Sequence, residues 1–390
     1  MNNSTVAMKV PFHRADLGEE EVRAITDVVR SGWLTMGAKT IEFERQFADY
    51  VGAKYAVAVS SCTAALHLSL EATGIRAGDE VLVPTTTFTA TAEVVAYFGA
   101  RPVLIDVDAN TLNIDIEHVK HKIGPRTRAI IPVHFGGQPC DLQEIREIAD
   151  HHHVHVIEDA AHALPSEYQG RRIGTISELT AFSFYATKTL STGEGGMITT
   201  DNEAYARRMQ MMRLHGISRD AWKRYSSDGS WHYEVIEAGY KYNFTDLQAA
   251  LGLVQLAKCD AMHTARCRIA SRYTRAFASN SSLEVPEILP DRTTAWHLYV
   301  LRLRLEQLRI DRDGLIRKLA EAGICASVHF IPLHLHPFYQ NTYGYKPGDL
   351  PIAEEQYRRC LSLPIFSGMT DEEADYVIAT VSEVTHRFSY

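Results

Sequence analysis

The chain has 390 residues, 45% of them hydrophobic and 23% charged, with a formal net charge of −8. That length exceeds what one hydrophobic core usually serves, so two packed domains are expected, and the composition is that of a globular chain rather than a disordered one. The acid excess argues against general binding to nucleic acid or anionic membranes, both of which select Lys and Arg, while leaving room for a local basic pocket.

The first segment, Met1–Val10, has no apolar core of signal-peptide length, and no run in the chain reaches the roughly 18 apolar residues of a membrane span. A cytoplasmic protein is expected. From Tyr55 onward, short apolar or β-branched runs alternate with amphipathic stretches of helix length. The strand candidates are Tyr55–Val59, Glu80–Val83, Pro102–Ile105, Arg128–Val133, Val154–Ile157, Thr180–Phe184 and Met197–Thr200. Helices are expected between them, among others over Thr63–Ala72, Asp141–His151 and Glu203–Leu214. This alternation builds a mainly parallel sheet covered by helices, an α/β fold. Several of the runs end in Ser, Pro, Asp or His, and ligands of such sheets bind beyond the carboxyl ends of the strands. Asp220–Ala238, rich in Trp, Tyr and Ser, reads as an irregular surface excursion.

After Leu256 the pattern becomes a long polar helix, a strand near His297–Leu303, a helix over Asp311–Ala322 and a last helix over Asp371–Val384. A larger domain over residues 1–255 and a smaller α+β domain over 256–390 are expected. No low-complexity linker or internal repeat separates them, so they should pack together. Cys62, Cys140, Cys259, Cys267, Cys325 and Cys360 stand far apart with no CxxC pair, which suggests neither a disulfide framework nor a zinc ribbon and fits a reducing compartment.

Three stretches carry chemistry. In Ala181-Phe-Ser-Phe-Tyr-Ala-Thr-Lys188, an apolar strand delivers Ser183 and, five residues on, a lysine in a small-residue loop with Gly193, Gly195 and Gly196. Were Lys188 to form a Schiff base with a cofactor aldehyde, burial and a nearby cation would lower its pKa and free the amine for proton transfer. The plainer alternative is a surface lysine before a glycine turn. In Val154-His-Val-Ile-Glu-Asp-Ala-Ala-His162, a strand ends in acids, and Asp159 suits the task of keeping a pyridine nitrogen protonated so that the ring becomes an electron sink. Its alternative is a helix N-cap. Val59-Ser-Ser-Cys-Thr63 places hydroxyls where a strand gives way to a helix, a phosphate site or an ordinary cap. Phe88, after another strand, would stack on a flat ring or fill the core. His151-His-His-Val-His155 is read as a helix end rather than a metal site, and no metal is expected.

Taken together these motifs resemble the DegT/DnrJ/EryC1/StrS family of sugar aminotransferases, within the fold-type I pyridoxal-phosphate enzymes. The likeness runs from about Val10 to Arg387. It includes Ser31-Gly-Trp-Leu-Thr-Met-Gly37, Phe43-Glu-Arg-Gln-Phe47, Gly239-Tyr-Lys-Tyr-Asn-Phe-Thr-Asp-Leu-Gln-Ala-Ala250, His329-Phe-Ile-Pro-Leu-His334 and Ser362-Leu-Pro-Ile365. The resemblance implies a large domain built on a mainly parallel seven-stranded sheet. It implies that Lys188 carries the cofactor and later moves the proton between cofactor and substrate carbons, and that Asp159 pairs with the pyridinium nitrogen. Phe88 would stack on the ring, while Ser183 with Ser61, Cys62 and Thr63 would hold the phosphate. Asn243 would reach the phosphate of a neighbouring subunit, which implies a homodimer with shared active sites. Many members have Gln where this chain has His162, and members acting on 4-keto sugars, including the one that makes 4-amino-4-deoxyarabinose on a uridine nucleotide, often have His. That branch is the nearest likeness, and His162 is kept as a contact to the hydroxyl side of the ring.

Trp33, Thr35, Tyr185, His329 and His334 match positions that line or border the sugar pocket, although His334–Pro337 also reads as a packing turn. The implied reaction takes an amino group, by family habit from glutamate, to a nucleotide-linked keto-sugar at C4. The family's dehydratase branch has His in place of the lysine, so Lys188 favours amino transfer. Two other readings stand beside it: the same fold acting on a 3-keto sugar or a cyclic polyol ketone, and a non-catalytic, cofactor-binding or regulatory relative. A dinucleotide-dependent oxidoreductase is disfavoured because no G-x-G-x-x-G follows the early strands.

Overall fold

The computed structural model describes residues 8–217 and 232–390. The strands in chain order are β1 (Tyr55–Val59), β2 (Glu80–Pro84), β3 (Arg101–Ile105), β4 (Thr127–Ile130), β5 (His155–Asp159), the small hairpin β6 (Glu167–Tyr168) and β7 (Arg171–Arg172), β8 (Leu179–Ser183) and β9 (Gly196–Thr200). All but β6 and β7 join one seven-stranded sheet in the order β1-β9-β8-β5-β4-β2-β3. Neighbours from β8 to β3 pair in parallel, and β9 alone runs against its two partners. The sequence expectation of a mainly parallel seven-stranded sheet is met, with β1 as expected and the other strands displaced at one or both ends by up to three residues. The displacement at β5 matters for function: the strand extends past Ile157 and ends on Asp159 itself.

Both faces of this sheet are covered, so its strands carry consecutive apolar residues rather than alternating ones. In β1, Ala56 and Ala58 enter one core with Phe43, Phe47, Phe182 and Phe244, while Val57 and Val59 enter a second with Leu66, Leu68 and Met209. The first face is closed by α2 (Ala38–Val51), α6 (Leu142–His152) and α8 (Asp246–Ala257), with α1 (Glu19–Ser31) packed on α8. The second is closed by α3 (Cys62–Ala72), α4 (Ala90–Ala96) and α7 (Glu203–Met212), and α5 (Ile116–Lys122) lies beside β3. Helix α3 is buried on every face from Ala64 to Leu70, which explains why its sequence lacks a polar stripe. Each large side chain so buried contributes about 1.5–3 kcal/mol.

A third core gathers around a three-stranded sheet of β10 (Leu283–Glu284), β12 (Tyr299–Leu303) and β13 (Cys360–Leu363). Helices α9 (Cys259–Phe277), α10 (Arg312–Glu321) and α13 (Asp371–Arg387) supply its apolar faces, and Val10 from the start of the chain joins it by pairing with Ile324. Strand β11 (Arg292–Thr293) instead crosses over to pair with β6, while α11 (Pro337–Tyr343) and α12 (Pro351–Arg359) complete the chain. The excursion expected over Asp220–Ala238 lies outside the described residues for 220–231, and its return is fixed where Val235 pairs with Ile217. All six cysteines are unpaired. Among the described residues no helix is long and apolar enough to cross a membrane, and no group of three His, Cys, Asp or Glu could hold a metal ion. In the histidine run, His153 ends α6 in the left-handed region and His155 pairs with Glu178 at 2.7 Å.

Candidate active site

The chain leaves the sheet at the carboxyl ends of β1, β5 and β8, and each exit brings a functional group to the same cavity of about 590 Å³. After β1, Ser61 caps α3 by accepting from the Ala64 amide at 3.0 Å, while the amides of Cys62 and Thr63 find no acceptor among the described residues. Free amides at a helix start suit an anion. The beginning of β9 lies so close that a Cβ on Gly196 would stand 2.6 Å from the Ser61 carbonyl carbon and 2.7 Å from the Cys62 nitrogen. Only glycine lets the strand pass behind this turn.

After β5, the Asp159 carboxylate accepts from Thr91 Oγ1 at 2.8 Å and from the Ala161 amide at 3.1 Å. No helix starts there, so the N-cap alternative is excluded. Asp159 is buried, and no cation pairs with it among the described residues. Burial pushes its carboxyl pKa up, against the two hydrogen bonds and the charge of Lys188.

After β8, Ser183 accepts from the Tyr185 amide at 3.3 Å, and the loop beyond is closed at its neck where Phe184 donates to Gly195 and accepts from Thr192, each at 2.9 Å. Lys188 stands inside this loop, its amide bonded to Tyr185 at 2.9 Å and its neighbour Thr189 donating to Leu164. It is no surface lysine. Burial lowers its pKa to about 8, with Cys62 and Asp159 pulling the other way. A reactive amine, a buried acid lacking a cation and a helix start with free amides thus converge on one space, an arrangement that fits an aldehyde-bearing, phosphorylated pyridine.

The opposite wall is made of neutral imidazoles and aromatic rings. The rings of His162 and His297 are tilted at 38° with centroids 4.4 Å apart, and His162 stacks 6.1 Å from Phe330. Burial first, then the charge of Lys188 among other groups, holds His162 and His297 far below the ordinary imidazole range, and the same causes bring His329 to about 4. His329 stacks on Phe12 at 5.5 Å and bonds Ser362 Oγ through Nδ1 at 2.8 Å. Phe88 is not a core residue: it is 61% exposed at the rim, 6.2 Å from Phe330. Tyr185 is likewise exposed at the mouth.

The cavity therefore unites Ser61, Cys62, Thr63, Phe88, Asp159, His162, Ser183, Tyr185, Lys188 and His329 from among the residues singled out in the sequence. Four others do not line it in this chain. His334 is fully buried elsewhere, between Thr85 Oγ1 and Glu354, each at 2.9 Å, so one ring nitrogen ties the 333–335 turn to the end of β2 and the other ties it to α12. That corrects the substrate expectation for His334 in favour of packing. Trp33 donates to Met36 O at 3.2 Å, and Thr35 O accepts from the Asp246 amide at 3.2 Å. Asp246 accepts in turn from the amides of Gly37 and Thr40 at 2.8 and 2.9 Å, making the 33–40 turn one unit with the segment that bears Asn243. Asn243 itself bridges Val59 through its backbone, next to the Ser61 turn but outside the cavity.

The sequence reading missed Thr91, His297 and Phe330. Thr91 lies in an unremarked threonine run and gains its role only by folding against Asp159. His297 was counted merely as the start of a strand that in fact begins at Tyr299.

Known proteins resemble this chain in sequence and fold. The chain is 50% identical over 376 residues to the spore coat polysaccharide biosynthesis protein SpsC of Bacillus subtilis, covering 96% of this chain and 97% of that protein. Its fold matches Spr1654 of Streptococcus pneumoniae in its PMP form, with a TM-score of 0.92 and 34% identity, covering 97% of this chain and 100% of that one. Spr1654 is also known in a PLP form. PseC of Helicobacter pylori, an aminotransferase involved in the biosynthesis of pseudoaminic acid, matches with a TM-score of 0.92 and 26% identity, over 98% and 100% of the two chains. With the family's sequence pattern running through residues 15–382, the chain belongs to the DegT/DnrJ/EryC1/StrS aminotransferase family, whose members depend on pyridoxal phosphate.

Proposed function

We propose that this sugar aminotransferase moves an amino group from glutamate to C4 of a nucleotide-linked keto-sugar, within a homodimer that shares its active sites, in the making of a polysaccharide or antibiotic sugar. The observation that carries the reading is the convergence of Lys188 and the buried Asp159 on a cavity whose far wall is neutral imidazole and aromatic. Bound pyridoxal phosphate supplies an electron sink that lets a proton leave and rejoin the carbon bearing nitrogen. In this reading the Asp159 carboxylate holds a proton on the pyridine nitrogen, and Thr91 and the Ala161 amide keep that carboxylate aimed. Ser61, Cys62, Thr63 and Ser183 would hold the phosphate, Phe88 would stack on the ring, and His162 would contact its hydroxyl side. Lys188, with its pKa near 8, carries the cofactor and then moves the proton as a free amine.

Donor and acceptor use the one cavity in turn, so ping-pong kinetics are expected. Among the described lining residues Lys188 is the only Lys or Arg, and the hydroxyl and imidazole groups beside it suit the hydroxyls of a sugar ring. The name of SpsC points the same way. Trp33, Thr35 and Asn243, outside the cavity of their own chain, are assigned to the neighbouring subunit's site or its border. The test is to convert the enzyme to its amine form with glutamate, then offer nucleotide-linked 4-keto and 3-keto sugars and cyclic polyol ketones. A 4-keto sugar should restore the aldehyde absorbance, and restoration by a polyol ketone alone would overturn the proposal.

A further inference from the structure

One imidazole in the cavity has no task in the scheme above. His297 lines the cavity beside His162, and no hydrogen bond engages its ring among the described residues. Its Nδ1 is sealed from solvent without a partner. A buried polar nitrogen left unpaired destabilises the fold, whereas a phenyl ring would fill the same space without that cost. The backbone that delivers it is also unusual. Trp296, immediately before, adopts φ +50, a left-handed conformation that bulky side chains rarely take. Its carbonyl is held there by Arg266 Nη1 at 3.2 Å, from a guanidinium that is buried and paired with no acid among the described residues. On either side, Ala295 and Leu298 donate to Gly137 and Gly136, which staples the segment to the loop after β4. Strain and an unpaired nitrogen kept at one place point to a ligand contact.

We propose that His297 is a substrate-binding residue whose Nε2, the ring nitrogen not sealed off, makes a hydrogen bond with a hydroxyl of the keto-sugar, an inference that rests on the sugar aminotransferase reading. Being neutral, the ring serves a hydroxyl in either sense and offers no charge to a carboxylate. It supplies a polar group to the cavity from the C-terminal half of the chain.

The experiment compares the wild type with His297→Phe and His297→Gln. Enzyme loaded with pyridoxamine phosphate is mixed with the keto-sugar, so that the identity of the amino donor does not enter. His297→Phe should need roughly tenfold to a hundredfold more keto-sugar to reach half its maximal single-turnover rate. Binding of pyridoxal phosphate to the cofactor-free variant, followed by fluorescence, should stay near wild type, and its thermal midpoint should hold or rise. His297→Gln, which keeps a donor and an acceptor, should recover part of the loss. An unchanged sugar requirement in His297→Phe, or a loss that appears equally in cofactor binding, overturns the proposal. A wild type inert toward every keto-sugar overturns the sugar reading and this inference with it; an active wild type with an unaffected variant overturns this inference alone.

Discussion

Lys188 is an amine inside a cavity, and its ordinary pKa of 10.5 falls to about 8 because burial penalises the charged form. Between those values the unfolded chain binds more protons than the folded one, so the stability due to the neutral amine is fully present above pH 10.5 and is lost as pH falls through 8. In cofactor-free protein the wild type should therefore gain about 2–3 kcal/mol on Lys188→Met between pH 8 and 10.5. Urea unfolding of both proteins at the two pH values checks this, and a pH-independent difference would show that the amine is not held in a depressed state. Lys188→Ala should lower turnover by more than about a thousandfold while leaving the fold intact, since the side chain makes no ion pair among the described residues. Borohydride treatment of the yellow holoenzyme should fix the cofactor on Lys188, as read by peptide mass. For Asp159→Asn, weakened cofactor retention and a severe loss of rate are expected, because an amide cannot hold the pyridinium proton; turnover equal to wild type would remove that role.

At the scale of elements, the start of α3 does two jobs with one serine. Ser61→Ala removes the cap on the Ala64 amide and should cost about 0.5–2 kcal/mol of stability in the cofactor-free protein. In the reading above it also weakens phosphate binding, so a cofactor titration should shift together with the unfolding midpoint. A shift in stability alone would make Ser61 a cap and nothing more. The neighbouring glycine is the counterpart: no side chain fits at Gly196 without moving the backbone of Ser61 and Cys62. The strands were legible because runs such as Tyr55–Val59 are apolar on both faces, which only a doubly covered sheet demands. Helix α3 was legible from its length and its Ser61 start, although its burial left no periodic stripe. The exact end of β5 was not legible, since Glu158 and Asp159 look like loop residues until pairing with β8 fixes them in the sheet.

For the whole molecule, the proposed sharing of sites yields an arithmetic test. Lys188→Ala and Asn243→Ala proteins, each impaired, are unfolded together and refolded as a mixture. If Asn243 serves the partner's site, half the dimers are mixed and each has one intact site, so roughly a quarter of wild-type activity should return. If Asn243 serves its own chain, nothing returns. Chemistry-bearing residues that stand at strand ends, Lys188, Asp159, Ser183 and the Ser61 turn, were readable from the chain because a parallel sheet sends all its carboxyl ends to one edge. Sequence therefore determined the fold class, the cofactor chemistry and the near wall of the site. The tertiary structure alone decided the far wall, where His297 and Phe330 arrive from distant parts of the chain, and it alone withdrew His334 into the packing. The physical reason is that side-chain pattern encodes which residues are buried, whereas which buried imidazole keeps a free nitrogen depends on partners such as Thr85, Glu354 and Arg266 that only folding brings near.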